Sequence, residues 1–193
     1  APAGLGLVRS ARGGGVAGLD PREGFDSAPI AAVLADPAIE VVVHAGRQDV
    51  AILRREWGIE FTGVFDTQVA AGFAGSSAQA GYNGLLHDVL RIRLPKTASF
   101  TRWDARPLTE EQLRYAEGDV EHLLPLADEI RRRLEERGRL EWAQEECRAI
   151  AAATDERDPL EVWRRLPRVT GLNAAERAVV RELAAWRERT GSR

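Results

Sequence analysis

Ile39-Glu40-Val41-Val42-Val43-His44-Ala45-Gly46-Arg47-Gln48-Asp49 is the stretch that decides the fold. Its β-branched run, broken only by Glu40, predicts a strand over 39–43 that is largely buried in a sheet. A helix is predicted to follow at once over Arg47–Trp57, because Val50, Leu53 and Trp57 share one face and Gly58 supplies a C-terminal stop. Open α/β sheets gather ligand and catalytic groups where strands end and helices begin, and His44 and Asp49 stand at such a junction. A carboxylate on the first helical turn also favours the positive end of the helix dipole. Local evidence leaves plainer roles open: Asp49 as a helix acid with no further task, and His44 as a hydrogen-bonded strand-end residue.

Towards the N-terminus, Leu5–Val8 and Val16–Leu19 read as two hairpin strands joined by the Gly13-Gly14-Gly15 turn. Ser27–Ala35 reads as a short helix through Ile30, Val33 and Leu34. Towards the C-terminus, Val64-Phe65 is a brief strand, and Asp66 can N-cap a helix from Thr67. Tyr82–Leu90 reads as another short helix, followed by a polar loop over Arg93–Arg106. Thr109 with Gln112 forms a capping box that opens a helix through Leu113, Ala116, Val120 and Leu123. Pro125 begins a new helix or kinks the old one. Ala149–Pro159 shifts to small and charged residues and reads as a linker. Beyond it, Trp163, Leu166, Leu172, Val179, Val180, Leu183 and Trp186 mark two helical segments around Gly171.

Composition narrows the function classes. The 193 residues are 44% hydrophobic and 30% charged, which suits a globular chain with a sizeable core. No apolar run approaches the ~18 residues of a membrane-spanning helix, so no membrane partner is expected. One cysteine, Cys147, excludes a disulfide framework and a cysteine zinc cage, and a reducing cytoplasm is the expected location. Cys147 lies between charged residues with no histidine nearby in sequence, which argues against a catalytic thiol. A net charge of −3 argues against a protein that coats polyanions generally, while leaving room for one local nucleic-acid groove. The single lysine, Lys96, stands out because every other basic residue of the 27 is arginine.

Two further constellations can carry chemistry. Tyr115 and Asp119, four apart, share one helical face, where a phenol and a carboxylate reach one water; a half-buried tyrosine beside a surface aspartate is the plainer alternative. The loop Lys96-Thr97-Ala98-Ser99-Phe100-Thr101-Arg102-Trp103-Asp104-Ala105-Arg106 mixes cations, hydroxyls and aromatics, which suits phosphate contact and base stacking. Trp103 and Arg106 serve equally well as pins that hold a long loop on the core. No Walker loop, GxSxG elbow, HExxH or Cys/His metal spacing is present.

Taken in order, HAGRQD, FDTQ and TRWDARPLTEEQLRYAEGDVEHLLPL resemble the ribonuclease D family of 3′–5′ exonucleases, in the DEDD superfamily with a tyrosine in the third motif. The similarity runs from about Pro2 to Cys147. It implies a ribonuclease H-like α/β fold, a mixed sheet with flanking helices. It implies a metal-dependent exoribonuclease that trims RNA 3′ ends such as those of tRNA precursors, with two divalent ions (Mg2+ or Mn2+) as cofactors. Asp119 would be a direct metal ligand, Asp49 would act on the other ion through water, and Tyr115 would orient or help deprotonate the attacking water. Lys96, Arg106, Trp103 and His44 would contact nucleic acid. The tail from Asp158 to Arg189 resembles the opening of an HRDC domain, a small helical module. The expected division is therefore an exonuclease domain over 1–148, a linker over 149–158 and an HRDC segment over 159–193.

One departure qualifies the resemblance. The family's first motif, an Asp-x-Glu on its first strand, supplies two more carboxylates, and Ala1–Asp20 instead resembles the second and third strands. Asp20 and Glu23 stand in the wrong place to substitute. Together with the absence of methionine and a last helix still patterned at Trp186, this predicts a chain cut at both ends. An inactive nucleic-acid-binding relative, or an inactive fragment, is the alternative reading; oligomeric state stays open.

Overall fold

The computed structural model describes residues 8–12, 15–19, 26–94, 105–155 and 158–191. They form two compact units, one within residues 5–154 and the other within residues 155–193.

In the larger unit, β1 (Val8–Arg12) and β2 (Gly15–Leu19) pair antiparallel, with Val8 opposite Leu19 and Arg12 opposite Gly15. After α1 (Ala28–Ala35) come β3 (Val41–Val43), α2 (Arg47–Trp57) and β4 (Val64–Asp66). β3 and β4 run parallel, and their register sets Val41 beside Val64, Val42 beside Phe65 and Val43 beside Asp66. A strand–helix–strand crossover of this kind is the unit from which α/β folds are built. Among the described residues no ladder joins the hairpin to the parallel pair.

The parallel pair separates two hydrophobic clusters, as alternation along a strand requires. Phe65 and Val42 face Leu85, Leu86, Leu126, Ile130 and Leu134. Val64, Val41 and Val43 face Val50, Ile59, Phe61 and Ile150. Helices supply both walls: α2, α3 (Thr67–Phe73), α4 (Tyr82–Leu85), α6 (Leu123–Glu136) and α7 (Leu140–Ala151), while α5 (Glu110–Glu121) lies against the hairpin and α6. The fold is mixed α/β, mostly helical around a small sheet.

Several local expectations are met and several are adjusted. Gly58 ends α2 in the left-handed region at φ 65°, its N–H donating to the Arg54 carbonyl at 2.9 Å. Thr109 and Gln112 form the capping box reciprocally, at 3.2 and 2.9 Å. Pro125 falls in the first turn of α6, where no N–H is needed, so it starts a helix and bends none. β3 begins at Val41, not Ile39, because Ile39 N–H is already spent on the Asp36 carbonyl at 3.0 Å. The stretch 82–90 splits into α4 and a π-helical turn over Leu86–Leu90. Leu113 lies 40% exposed, off the buried face of α5 that carries Ala116. Ala149–Ala151, assigned by composition to the linker, belong to α7, because Ile150 and Ala151 are buried in the second cluster.

The smaller unit holds two short 3₁₀ turns, Val162–Arg165 and Val169–Gly171, and α8 (Ala174–Gly191). Its buried side chains include Val162, Val169, Ala184 and Ala185, while Val179, Leu183 and Trp186, which mark the helical pattern, are exposed. Among the described residues no helix is long and apolar enough to cross a membrane.

The turn between β3 and α2 is tight. Ala45 has φ 52°, a left-handed conformation that costs an L-residue ~1–2 kcal/mol. At Gly46 a Cβ would fall 2.6 Å from Val43 Cβ and Cγ2, so only glycine fits without displacement. Gly46→Ala is expected to cost ~1–3 kcal/mol by forcing α2 away from β3. A urea titration measures this, and an unchanged midpoint would show that the turn yields freely.

Candidate active site

Asp66, the last residue of β4, organises the junction. Its buried carboxylate accepts four backbone N–H groups from two directions. Oδ1 takes Gln68 N at 2.9 Å and Val69 N at 3.3 Å, which caps α3. The same carboxylate takes Ala45 N at 3.1 Å and Gly46 N at 2.9 Å, which fixes the turn that launches α2. One side chain thus satisfies the open donors of one helix start and holds a strained residue before another.

Asp49 rides on the first turn of the helix so placed. It reaches solvent, yet its carboxyl is held above the ordinary value, first by desolvation and then by the Asp66 charge. Below the ordinary pKa of 3.8 the group is protonated in both folded and unfolded chains and costs nothing. As pH rises from there through the raised folded value, the unfolded chain ionises more readily and stability is lost. Asp49→Asn is therefore expected to raise the melting temperature at pH 7 and to leave it unchanged below pH 3.8. Melts at the two pH values check this; equal effects at both would remove the electrostatic explanation.

His44 closes β3. Its Nδ1 lies 3.0 Å from Thr67 Oγ1, and its ring centroid is 5.4 Å from that of Tyr82. Desolvation lowers its pKa, with the Asp66 charge pulling the other way. Cys147 of α7 lies behind the same strand end: its buried sulfur is 3.3 Å from Asp66 N, and burial pushes the thiol up to about 11. That agrees with a structural thiol and not a nucleophile.

The other expected site residues are distributed as follows. Tyr115 and Asp119 stand one turn apart on α5, which runs beside β1 and β2; the Asp119 side chain lies outside the described residues. Arg106 precedes α5, half-buried, with Nη1 donating to the Ala105 carbonyl at 2.8 Å. Lys96 and Trp103 lie outside the described residues. The structure therefore brings His44, Asp49 and Asp66 into one charge-coupled group. Among the described residues no three His, Cys, Asp or Glu side chains converge as a metal-holding cluster.

A family model for 3′–5′ exonucleases matches residues 5–135, well over half of the sequence. The chain belongs to the 3′–5′ exonuclease family. Ribonuclease D of Acidiphilium cryptum (strain JF-5) is 42% identical over 172 residues, covering 89% of this chain and 44% of that protein. The crystal structure of Escherichia coli RNase D, described as an exoribonuclease involved in structured RNA processing, aligns with a TM-score of 0.87 at 33% identity, over 96% of this chain and 50% of that one. Brucella melitensis NrnC with bound Mg2+ aligns with a TM-score of 0.69 at 25% identity, over 84% of this chain and 80% of that one. The chain spans about half the length of the curated relatives it matches, from 44% to 50% for the two from A. cryptum and E. coli.

Within this exonuclease domain, sequence reasoning missed the second half of Asp66's bonding and the parts played by Thr67 and Tyr82. The FDTQ stretch was visible as a motif, and its aspartate as a cap. The partners Ala45 and Gly46 lie 20 or more residues away in sequence, where no periodicity connects them.

Proposed function

We propose that the protein is a metal-dependent 3′–5′ exoribonuclease of ribonuclease D type, hydrolysing phosphodiesters at RNA 3′ ends such as those of tRNA precursors. The observation that carries this reading is Asp49, in a chain of the exonuclease family. It stands on the first turn of α2, directly after the turn that the Asp66 carboxylate holds at Ala45 and Gly46. Carboxylate oxygens are the hard donors that Mg2+ and Mn2+ prefer, so the Asp49 side chain is of the chemistry such an ion takes.

Asp49 and Asp119 would each hold one of two divalent ions. Bound there, the ions supply charge stabilisation to the phosphate under attack. Tyr115, one helical turn from Asp119, would orient the attacking water through its hydroxyl. A phenol so placed directs the water or helps take its proton. Lys96, Arg106, Trp103 and His44 would contact the nucleic acid. Residues 159–193 would form part of an HRDC domain.

The test is incubation of the protein with 5′-labelled single-stranded RNA and Mg2+ or Mn2+. A ladder that shortens one nucleotide at a time from the 3′ end, and stops on chelation, is expected. Internal cleavage, or RNA that is bound and never shortened, would overturn the exonuclease reading, and the second outcome would favour a relative that binds without cutting.

A further inference from the structure

Thr67 is fully buried, and its hydroxyl donates to the Val43 carbonyl at 3.0 Å. A hydroxyl has one hydrogen, so with that hydrogen committed Oγ1 meets His44 Nδ1 only as an acceptor, 3.0 Å away. Nδ1 therefore carries a hydrogen. Tyr82 lies against the imidazole at an interplanar angle of 57° and limits its rotation. Burial favours the neutral ring, which leaves Nε2 with a bare lone pair. Nε2 has no hydrogen-bond partner among the described residues and is not sealed from solvent.

A neutral nitrogen of this kind accepts a hydrogen bond and cannot donate one. Phosphate oxygens are acceptors too, so a phosphate is the wrong partner for it. Of the donors a nucleotide offers, base N–H groups differ from base to base, whereas sugar hydroxyls are common to all four. A nuclease that removes any nucleotide needs the common one.

We propose that Thr67 is a positioning residue that fixes His44 as the Nδ1–H tautomer, so that His44 Nε2 accepts a hydrogen bond from a ribose hydroxyl of the nucleotide bound near Asp49. This rests on the nuclease reading above and narrows the part His44 plays in it. Two consecutive residues then divide the work: Asp66 sets the backbone of 45–46, and Thr67 sets the ring of 44.

The test uses 15N-histidine spectra of the whole chain, with His44 distinguished from the two other histidines by its loss in His44→Gln. The Nδ1–H tautomer is expected to dominate at pH 7, and 5′-AMP is expected to move the Nε2 resonance upfield. 2′,3′-Dideoxy-AMP should leave that resonance in place and bind about 3–10-fold more weakly, the loss of one hydrogen bond. The 2′-deoxy and 3′-deoxy compounds then show which hydroxyl is held. Thr67→Val should mix the tautomers, and Thr67→Ser should restore the single one, a signature that packing alone would not produce. A dominant Nε2–H tautomer, or AMP that shifts the Asp49 amide while the His44 ring is unmoved or answers equally to dideoxy-AMP, overturns this proposal and leaves the nuclease reading standing. AMP that shifts neither residue overturns both.

Discussion

Asp66→Ala is expected to lower the stability of the chain by about 3 kcal/mol or more. Four backbone N–H groups lose their acceptor at once, at Ala45, Gly46, Gln68 and Val69. Water can reach some of them, and each that stays buried and unpaired costs ~1–3 kcal/mol. The left-handed Ala45 also loses the bond that holds it in place. A loss of that size is a large share of the ~5–15 kcal/mol that holds a typical domain together. At ~2–4 °C per kcal/mol for a chain of this size, the melting temperature should fall by about 10 °C. Calorimetry or circular dichroism reads the effect directly. A shift under about 2 °C, the value of less than one such hydrogen bond, would mean that the carboxylate is replaceable by solvent and that the turn is held by something else.

Asp119→Asn carries the largest expected effect on turnover. The amide keeps the shape of the carboxylate and removes the charge that would hold an ion. Metal stabilisation of a phosphoryl centre is worth several kcal/mol, so at 1.36 kcal/mol per tenfold change the rate should fall by about 10³ or more. Tyr115→Phe, which removes only an orienting hydroxyl, should cost about 10²-fold, within the range of positioned proton-handling groups. The fold should survive both, since Tyr115 and Asp119 stand on the first three turns of a helix whose start is secured independently by Thr109 and Gln112. Single-turnover hydrolysis of a short RNA, with melting curves alongside, separates lost chemistry from lost structure. Near-normal rates in Asp119→Asn would refute its place at the ions.

How much of this was legible in the sequence depended on whether the signal was local. α2 and its stop at Gly58 were readable, because a 3.6-residue apolar period and a left-handed glycine are both written within one segment. The capping box was readable for the same reason: Thr109 and Gln112 satisfy each other. Tyr115 and Asp119 could be placed on one face from spacing alone. The junction that sets Asp49 was only half readable. Asp66 showed itself as a cap, but the two amides it holds across the sheet belong to residues brought near by β3–β4 pairing. The π turn at Leu86–Leu90 left no mark, since its apolar residues suit an ordinary helix equally well. Ala149–Ala151 misled by composition: alanines that look like linker are what a helix needs to lie close against a sheet.

Cys147 gives the molecule an internal reporter. Its sulfur sits under the strand end that carries Asp66, and its thiol holds its proton until about pH 11. In the closed chain a thiol reagent finds neither access nor thiolate. Labelling then proceeds only through moments when α7 lifts from β4, and because no other cysteine exists every label counts one such opening. The rate of modification, followed over time and temperature, becomes a stopwatch on the breathing of this strand end, kept by a residue that takes no part in the chemistry.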